Sequence, residues 1–84
     1  MNRNYFVERL ETLNFQKYDP KTTLSKLAKQ EYYCNGEFRV AFGQKGKKVK
    51  VKVSPTPQEM TICYSWSSAL KMIKQILKGD NEDA

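Results

Sequence analysis

Between Lys48 and Val53, lysine and valine alternate at every position. Successive side chains of an extended strand point to opposite faces, so this run places its three valines on one side and its three lysines on the other. A helix would distribute both residue types around its axis. The pattern therefore predicts a β-strand with one buried and one solvated face, which is typical of an antiparallel sheet.

A turn signal lies upstream of this strand. Asn35-Gly36 separates two runs rich in aromatic and β-branched residues, and Asn-Gly in that setting predicts a two-residue β-hairpin turn. With these residues at the tip, Tyr32 lies opposite Arg39 and shares its solvated face. Tyr33 then points to the buried face.

A second, glycine-rich turn follows at residues 43–46 and joins the next strand to the lysine–valine strand. If the second hairpin closes there, Arg39 lies opposite Lys50 and Glu37 lies opposite Lys52. One acidic side chain is thus expected among the strand lysines.

Helical periodicity occurs near both ends of the chain. Asn4 is expected to cap a first helix whose apolar residues recur at helical spacing up to Leu13. Ser65 is expected to cap a C-terminal helix that carries an apolar stripe starting at Trp66 and ends at Gly79.

Two shorter segments complete the prediction. Asp19-Pro20 signals the start of a second N-terminal helix, although the threonines that follow leave a strand open. A strand at residues 60–64 follows a loop with two prolines, and we expect Met60, Ile62 and Tyr64 on its inner face.

These segments predict an α+β fold: an antiparallel three- to four-stranded sheet with one or two N-terminal helices and a C-terminal helix packed on one face. The 84 residues suffice for one domain, which we place at residues 1–79, followed by a disordered acidic tail at residues 80–84. Unpaired strand edges at 30–34 or 59–64 are compatible with a homodimer.

Several classes of function are disfavoured. The chain has no histidine, and its two cysteines, Cys34 and Cys63, form no CxxC pair, so we expect no metal site and no cofactor. Nucleophile and phosphate-loop motifs are absent, so we expect no catalytic residues and no enzyme activity. Charged residues interrupt every apolar run near the N-terminus, which predicts a cytoplasmic protein with no membrane partner.

Charge is the most informative property of the composition. Fifteen Lys and Arg residues against nine Asp and Glu residues give a formal net charge of +6. Ten of the basic residues and three of the acidic ones lie between positions 17 and 52. This uneven distribution predicts one positively charged face, and a nucleic acid is its expected partner.

The candidate binding residues follow from this distribution. Lysines on a solvent-facing strand are common and protect sheet edges, but a set of adjacent cations on one face repels itself and favours an anionic ligand. A second basic row on the last helix is equally well explained by solubility and the helix dipole. The predicted RNA-binding residues are Arg39, Lys45, Lys47, Lys48, Lys50, Lys52, Lys71, Lys74 and the stacking residue Tyr32.

RNA is favoured over DNA. No segment resembles a recognition helix with Asn, Gln and Arg side chains directed at base edges, so the contacts are expected to go to phosphate and sugar. The chain also lacks the paired aromatic motif of an RRM. Binding by shape and charge to structured or repetitive RNA is therefore expected.

The order helix, three strands, helix resembles double-stranded-RNA-binding domains and the small Alu-domain subunits of the signal recognition particle. FVERL, DPKTT and the YCNG turn are similar to the first helix and hairpin of the latter. The last helix begins with SWSSAL where the former carry a basic KK-x-x-A signature, and the SPTPQE loop departs from both. The resemblance implies an RNA-binding fold.

In length and composition, the whole chain is similar to early accessory proteins of T-even-type coliphages, which are short, compact and rich in Lys and Asn. The segments NRNYFVERLETLNF and KGDNEDA carry this likeness. That group includes a small basic RNA-binding inhibitor of a type III toxin–antitoxin system, in which a repetitive RNA holds an endoribonuclease. The resemblance implies a phage counter-defence factor acting in the host cytoplasm.

We therefore predict an RNA-binding protein that acts through a cationic sheet face. The alternative is a phage-type inhibitor that docks the same basic face on an acidic host protein.

Overall fold

The strands lie side by side in the order in which they occur in the chain. The computed structural model describes residues 1–20 and 30–79. Its elements are α1 (Arg3–Thr12), β1 (Gln16–Lys17), β2 (Glu31–Asn35), β3 (Phe38–Lys45), β4 (Lys48–Ser54), β5 (Thr61–Cys63) and α2 (Trp66–Lys78).

The predicted α+β class is confirmed, with one strand more than expected. All four strand pairings are antiparallel, and the added strand is β1, which pairs with β2. The predicted edge at 30–34 is therefore covered by β1 at Tyr33 and Cys34. The second N-terminal helix expected from Pro20 and the disordered tail at 80–84 lie outside the described residues.

Both hairpin turns are built the same way. Gly36 and Gly46 each occupy the first central position of a two-residue turn, with φ of 63° and 62°. A positive φ at that position alone is typical of a type II′ turn, whose twist suits antiparallel strands. Asn35, predicted to lie in the turn, is instead the last residue of β2, and its amide Nδ2 donates to the Leu13 carbonyl at 3.3 Å.

The turn positions correct the predicted register of both hairpins. Tyr32 lies opposite Ala41 rather than Arg39. Arg39 lies opposite Ser54 rather than Lys50. Because glycine takes the first central position, the turns fall at residues 36–37 and 46–47, and the pairing shifts by two residues in the first hairpin and by four in the second. Even shifts preserve which face a side chain occupies.

The inner face of the sheet forms the core with the two helices. Val40, Phe42, Val51 and Val53 on the sheet are at most 1% exposed. α2 covers them with Ala69, Leu70 and Ile73, and α1 contributes Phe6 and Leu10. The prediction of an inward Trp66 is confirmed, since its ring lies 5.0 Å from that of Phe6 and 5.5 Å from that of Phe42.

The helix ends follow local capping rules. Helix α1 begins two residues earlier than expected, because Asn2 rather than Asn4 is its N-cap. The Asn2 Oδ1 accepts a hydrogen bond from the Tyr5 N–H at 2.9 Å. The earlier start puts Arg3 inside the helix, where it pairs with Glu31 of β2. The Ser65 cap and Gly79 end of α2 are confirmed, with Ser65 Oγ accepting from the Ser68 N–H at 3.1 Å.

The predicted inner face of the last strand is wrong. Cys63 pairs with the buried Val51, whereas Ile62 pairs with Lys52, so Ile62 lies on the lysine side of the sheet. Met60 and Tyr64, just beyond the strand ends, are 59% and 71% exposed. The loop after Ser54 sets the phase of this three-residue strand, and so alternation within the strand could not reveal which face is buried.

Candidate nucleic-acid interface

The outer face of the sheet is the face opposite the helices, and cross-strand pairing arranges its side chains in rows. One row runs Tyr32, Ala41, Lys52, Ile62 across four strands. Neighbouring rows hold Cys34, Arg39 and Ser54 on one side, and Gly43, Lys50 and then Lys45, Lys48 on the other. The structure thus brings six of the predicted residues onto this face: Tyr32, Arg39, Lys45, Lys48, Lys50 and Lys52.

The tip of the β3–β4 hairpin projects beyond its neighbours. β2 pairs with β3 only over Phe38–Phe42, and β5 pairs with β4 only over Val51–Val53. Residues 43–50, hereafter the hairpin arm, therefore form a two-stranded ribbon without a flanking strand from the described parts of the chain. The arm reads GQKGKKVK, so half of its residues are lysines and none is acidic.

Lysines are directly opposed at the end of the arm. Lys45 and Lys48 form the last cross-strand pair, and Lys47 occupies the turn between them. All three are exposed, as is Lys50. Directly opposite residues have Cβ atoms about 4.5–5.5 Å apart, a spacing at which like charges destabilise a sheet.

No carboxylate from residues 1–20 or 30–79 relieves this repulsion through an ion pair. The salt bridge found in these ranges joins Arg3 to Glu31, on the helix side of the sheet. The depression that surrounds the arm is lined by its four lysines together with Gln30, Gly43 and Tyr64, and by no acidic residue of the described chain. Within the described part of the chain, the arm is consequently a concentrated positive charge without a paired carboxylate.

Small residues lie beside the strand lysines. Gly43 lies opposite Lys50, and Ala41 lies opposite Lys52. The predicted neighbours, Arg39 and Glu37, would have filled this strip with longer side chains. A ligand can therefore approach the backbone of β3 closely while the β4 lysines extend beside it.

An aromatic cluster, hereafter the tyrosine pair, lies at the other end of the outer face. The rings of Tyr18 and Tyr32 are 5.9 Å apart with an interplanar angle of 62°, and the Tyr18 N–H donates to the Tyr32 carbonyl at 2.9 Å. The Arg39 guanidinium carbon lies 5.6 Å from the centre of the Tyr18 ring. Sequence reasoning missed Tyr18, because the two residues of β1 are too few to display an alternation.

The same end contains the acidic residues that the arm lacks. Glu37 and Glu59 border a concave surface with the tyrosine pair, Arg39 and Lys52. Its far wall is the loop from Ser54 to Met60, and Ala41 lies at its base. The outer face is thus divided into a purely cationic end and a mixed, aromatic end.

Lys71 and Lys74 lie elsewhere. Both are exposed on α2, whose buried residues face the sheet. Because α2 packs on the inner face, its exposed side is separated from the outer face by the helix and the sheet, roughly 10 Å or more of structure. The structure does not bring these two lysines together with the strand set.

Four of the described ionisable groups, all on the helix side of the sheet, have shifted pKa values. The hydrogen bond from Arg3 holds the pKa of Glu31 below its ordinary value and raises that of Arg3. Burial raises the pKa of the Tyr33 hydroxyl and of the Cys63 thiol, which disfavours ionisation of both. The cysteines are free thiols, and two strands separate Cys34 from Cys63, too far for a disulfide.

Within residues 1–20 and 30–79, no three His, Cys, Asp or Glu side chains lie close enough together to hold a metal ion. The two helices described are also too short or too polar to cross a membrane.

Comparison of the chain with protein-family models, with curated proteins and with solved structures yields no match in any of the three.

Proposed function

We propose that this protein binds RNA through the outer face of its sheet. In this proposal Lys45, Lys47, Lys48 and Lys50 of the hairpin arm contact phosphates, Lys52 and Arg39 extend the same track, and Tyr32 stacks on a base. The observation that carries the proposal is the arm itself, where four lysines project from the domain without an acidic neighbour among the described residues.

The spacing of the cations supports a polyphosphate ligand. Alternate residues of a strand are about 7 Å apart, close to the separation of successive phosphates along a nucleic-acid strand. Lys48, Lys50 and Lys52 repeat at this interval on one face. Their mutual repulsion is relieved when an anionic chain lies along them and releases its counterions.

The choice of RNA rests on the shape of the charged surface. The basic set lies on a sheet with two tyrosines on the same face, an arrangement suited to splayed, unpaired bases. The exposed residues of helix α2 are mainly serines and lysines, and a single amide, Gln75, does not make a set of base-reading side chains. DNA is included in the test below, since a two-stranded ribbon also fits a B-DNA major groove.

The biological role we propose is that of a phage counter-defence factor. A protein that coats RNA would block cleavage of that RNA by the endoribonuclease of a type III toxin–antitoxin system. This role rests on the resemblance in length and composition to phage accessory proteins. The proposal that the protein binds RNA does not depend on this role.

The proposal is tested on the purified wild-type protein. We expect it to copurify with RNase-sensitive material that raises the absorbance at 260 nm, and to shift RNA in a gel more strongly at low than at high salt. The combined Lys48→Glu, Lys50→Glu and Lys52→Glu variant should lose both properties while its circular dichroism remains that of the wild type. A wild-type protein that is free of nucleic acid and shifts neither RNA nor DNA would replace the proposal with the acidic-protein alternative.

A further inference from the structure

The aromatic end of the outer face differs chemically from the hairpin arm. Around the arm the described charges are all positive. Beside the tyrosine pair, Glu37 and Glu59 share the concave surface with Arg39 and Lys52. At its border Lys52 and Arg39 can contact a phosphate, but a phosphate seated deeper in this surface would meet two carboxylates.

We propose that this concave surface, the base site, binds an unpaired nucleobase of the RNA whose phosphates follow the lysine track. The proposal rests on the RNA binding proposed above and specifies its substrate as single-stranded RNA. A nucleobase is neutral, flat and bordered by N–H groups, and each of these properties has a counterpart in the site.

The tyrosine pair provides a flat aromatic surface that matches the flat ring of a nucleobase. Tyr32 is only partly buried, and its cross-strand partner is Ala41, whose methyl group fills little of the space beside the ring. Tyr18 meets Tyr32 at 62° and supports it from the side, while Arg39 lies over the Tyr18 ring. The face of Tyr32 is thus the surface on which a base can stack.

The opposite wall supplies a second apolar contact. Met60 lines the same surface and is 59% exposed, an uncommon state for a large apolar side chain with a flexible thioether. Its exposure follows from the phase of β5, which turned this residue away from the core. A base between Tyr32 and Met60 would cover both side chains.

The polar border provides hydrogen-bond acceptors. Glu37 and Glu59 are exposed carboxylates at the margin of the site and can accept from the N–H groups of a base edge. Those edges are available only when the base is unpaired, because a duplex engages them in Watson–Crick pairs. Lys52, next to Ala41 in the same row, lies where the lysine track reaches the site.

The test compares three ligands on one protein. Fluorescence anisotropy would measure binding of a non-self-complementary single-stranded RNA, the same strand annealed to its complement, and the same strand with abasic positions. We expect the wild type to bind the intact single strand at least about fivefold more tightly than the other two, given the usual contribution of one stacked base.

Variants assign that preference to the site. Tyr32→Leu and Tyr18→Leu should abolish the preference and leave the salt dependence unchanged, whereas Tyr32→Phe should retain it. The control is Tyr5→Leu, since Tyr5 is 46% exposed on α1, away from the outer face. Equal affinity for intact and abasic strands, or a preference that survives both leucine variants, would overturn the proposal.

Photo-crosslinking of the wild type provides a measurement that does not depend on the folding of a variant. Single-stranded RNA carrying 4-thiouridine should crosslink to peptides that contain Tyr18, Tyr32 or Met60. Crosslinks confined to other peptides would show that bases do not enter the site. A protein that binds none of the three RNAs would disprove the RNA-binding proposal itself, whereas RNA binding without base preference would disprove only the base site.

Discussion

Neutralising the hairpin arm should weaken RNA binding by an amount that can be calculated. In the variant Lys45→Gln, Lys48→Gln, Lys50→Gln, three phosphate contacts are lost, each worth about 0.7 in the slope of log affinity against log salt for a single strand. The slope should fall by about 2. Affinity should then drop about a hundredfold at 0.1 M salt and about tenfold at 0.3 M, and match that of the wild type near 1 M.

The same variant should be slightly more stable than the wild type. Lys45 and Lys48 are directly opposed, and cross-strand pairs of this kind contribute roughly 0.2–1 kcal/mol, here unfavourably and less at 0.15 M salt because of screening. The free energy of unfolding should therefore rise by about 0.5 kcal/mol. Loss of binding with a gain of stability cannot be attributed to misfolding.

A matched control is available on α2. Lys71→Gln, Lys74→Gln, Lys78→Gln removes the same three charges from exposed positions on the other side of the molecule. It should leave the salt slope unchanged and lower stability slightly, since Lys78 lies in the last turn of the helix. Equal flattening of the slope by both triple variants would refute the reasoning, because binding would then follow net charge rather than the outer face.

Three further outcomes concern stability, measured by denaturant unfolding. Glu31→Gln should cost up to about 1 kcal/mol near neutral pH, because the Arg3–Glu31 pair is partly exposed at 42% and 26%. The pKa of Glu31 is lowered in the folded state, so this difference should persist above its ordinary value of 4.5 and vanish as the pH falls through the folded-state value. Gly46→Ala should cost about 1 kcal/mol because of the positive φ, and Gly46→Asn less. Phe6→Ala should cost about 3–5 kcal/mol, enough to unfold much of a domain this small, whereas Phe6→Leu should leave it folded.

For the long strands, the sequence predicts which side chains lie on the buried face. It does not predict which residues pair across neighbouring strands. Alternation in β4 assigned the valines to the inner face and the lysines to the outer face, and the structure has this arrangement, with Val51 and Val53 buried and Val49 half-buried against the core. The register depends on which residues occupy the turn, and Asn35 belongs to the sheet instead, where its side chain also donates to the Leu13 carbonyl. Errors of two and four residues changed every cross-strand neighbour without moving any side chain to the other face.

The base site could not be predicted for a related reason. Tyr18 follows a strand of two residues, and Met60 precedes a strand of three residues. Both strands are too short for an alternating pattern to indicate which of their faces is buried. Both positions are determined by tertiary pairing with β2 and β4. For Lys71 and Lys74, helical spacing predicted exposure, but only the packing of α2 shows on which side of the sheet they lie.

Because the strands are neighbours in space in the order of the chain, nearly every strand contact closes a short loop, and such topologies fold quickly. The contact between the rings of Phe6 and Trp66 in the core is the exception, since it joins residues sixty positions apart in the sequence. The core is therefore complete only when the two ends of the chain have come together over the sheet. Trp66, the single tryptophan, lies at this contact, so its fluorescence reports closure of the core, whereas far-ultraviolet circular dichroism reports the secondary structure.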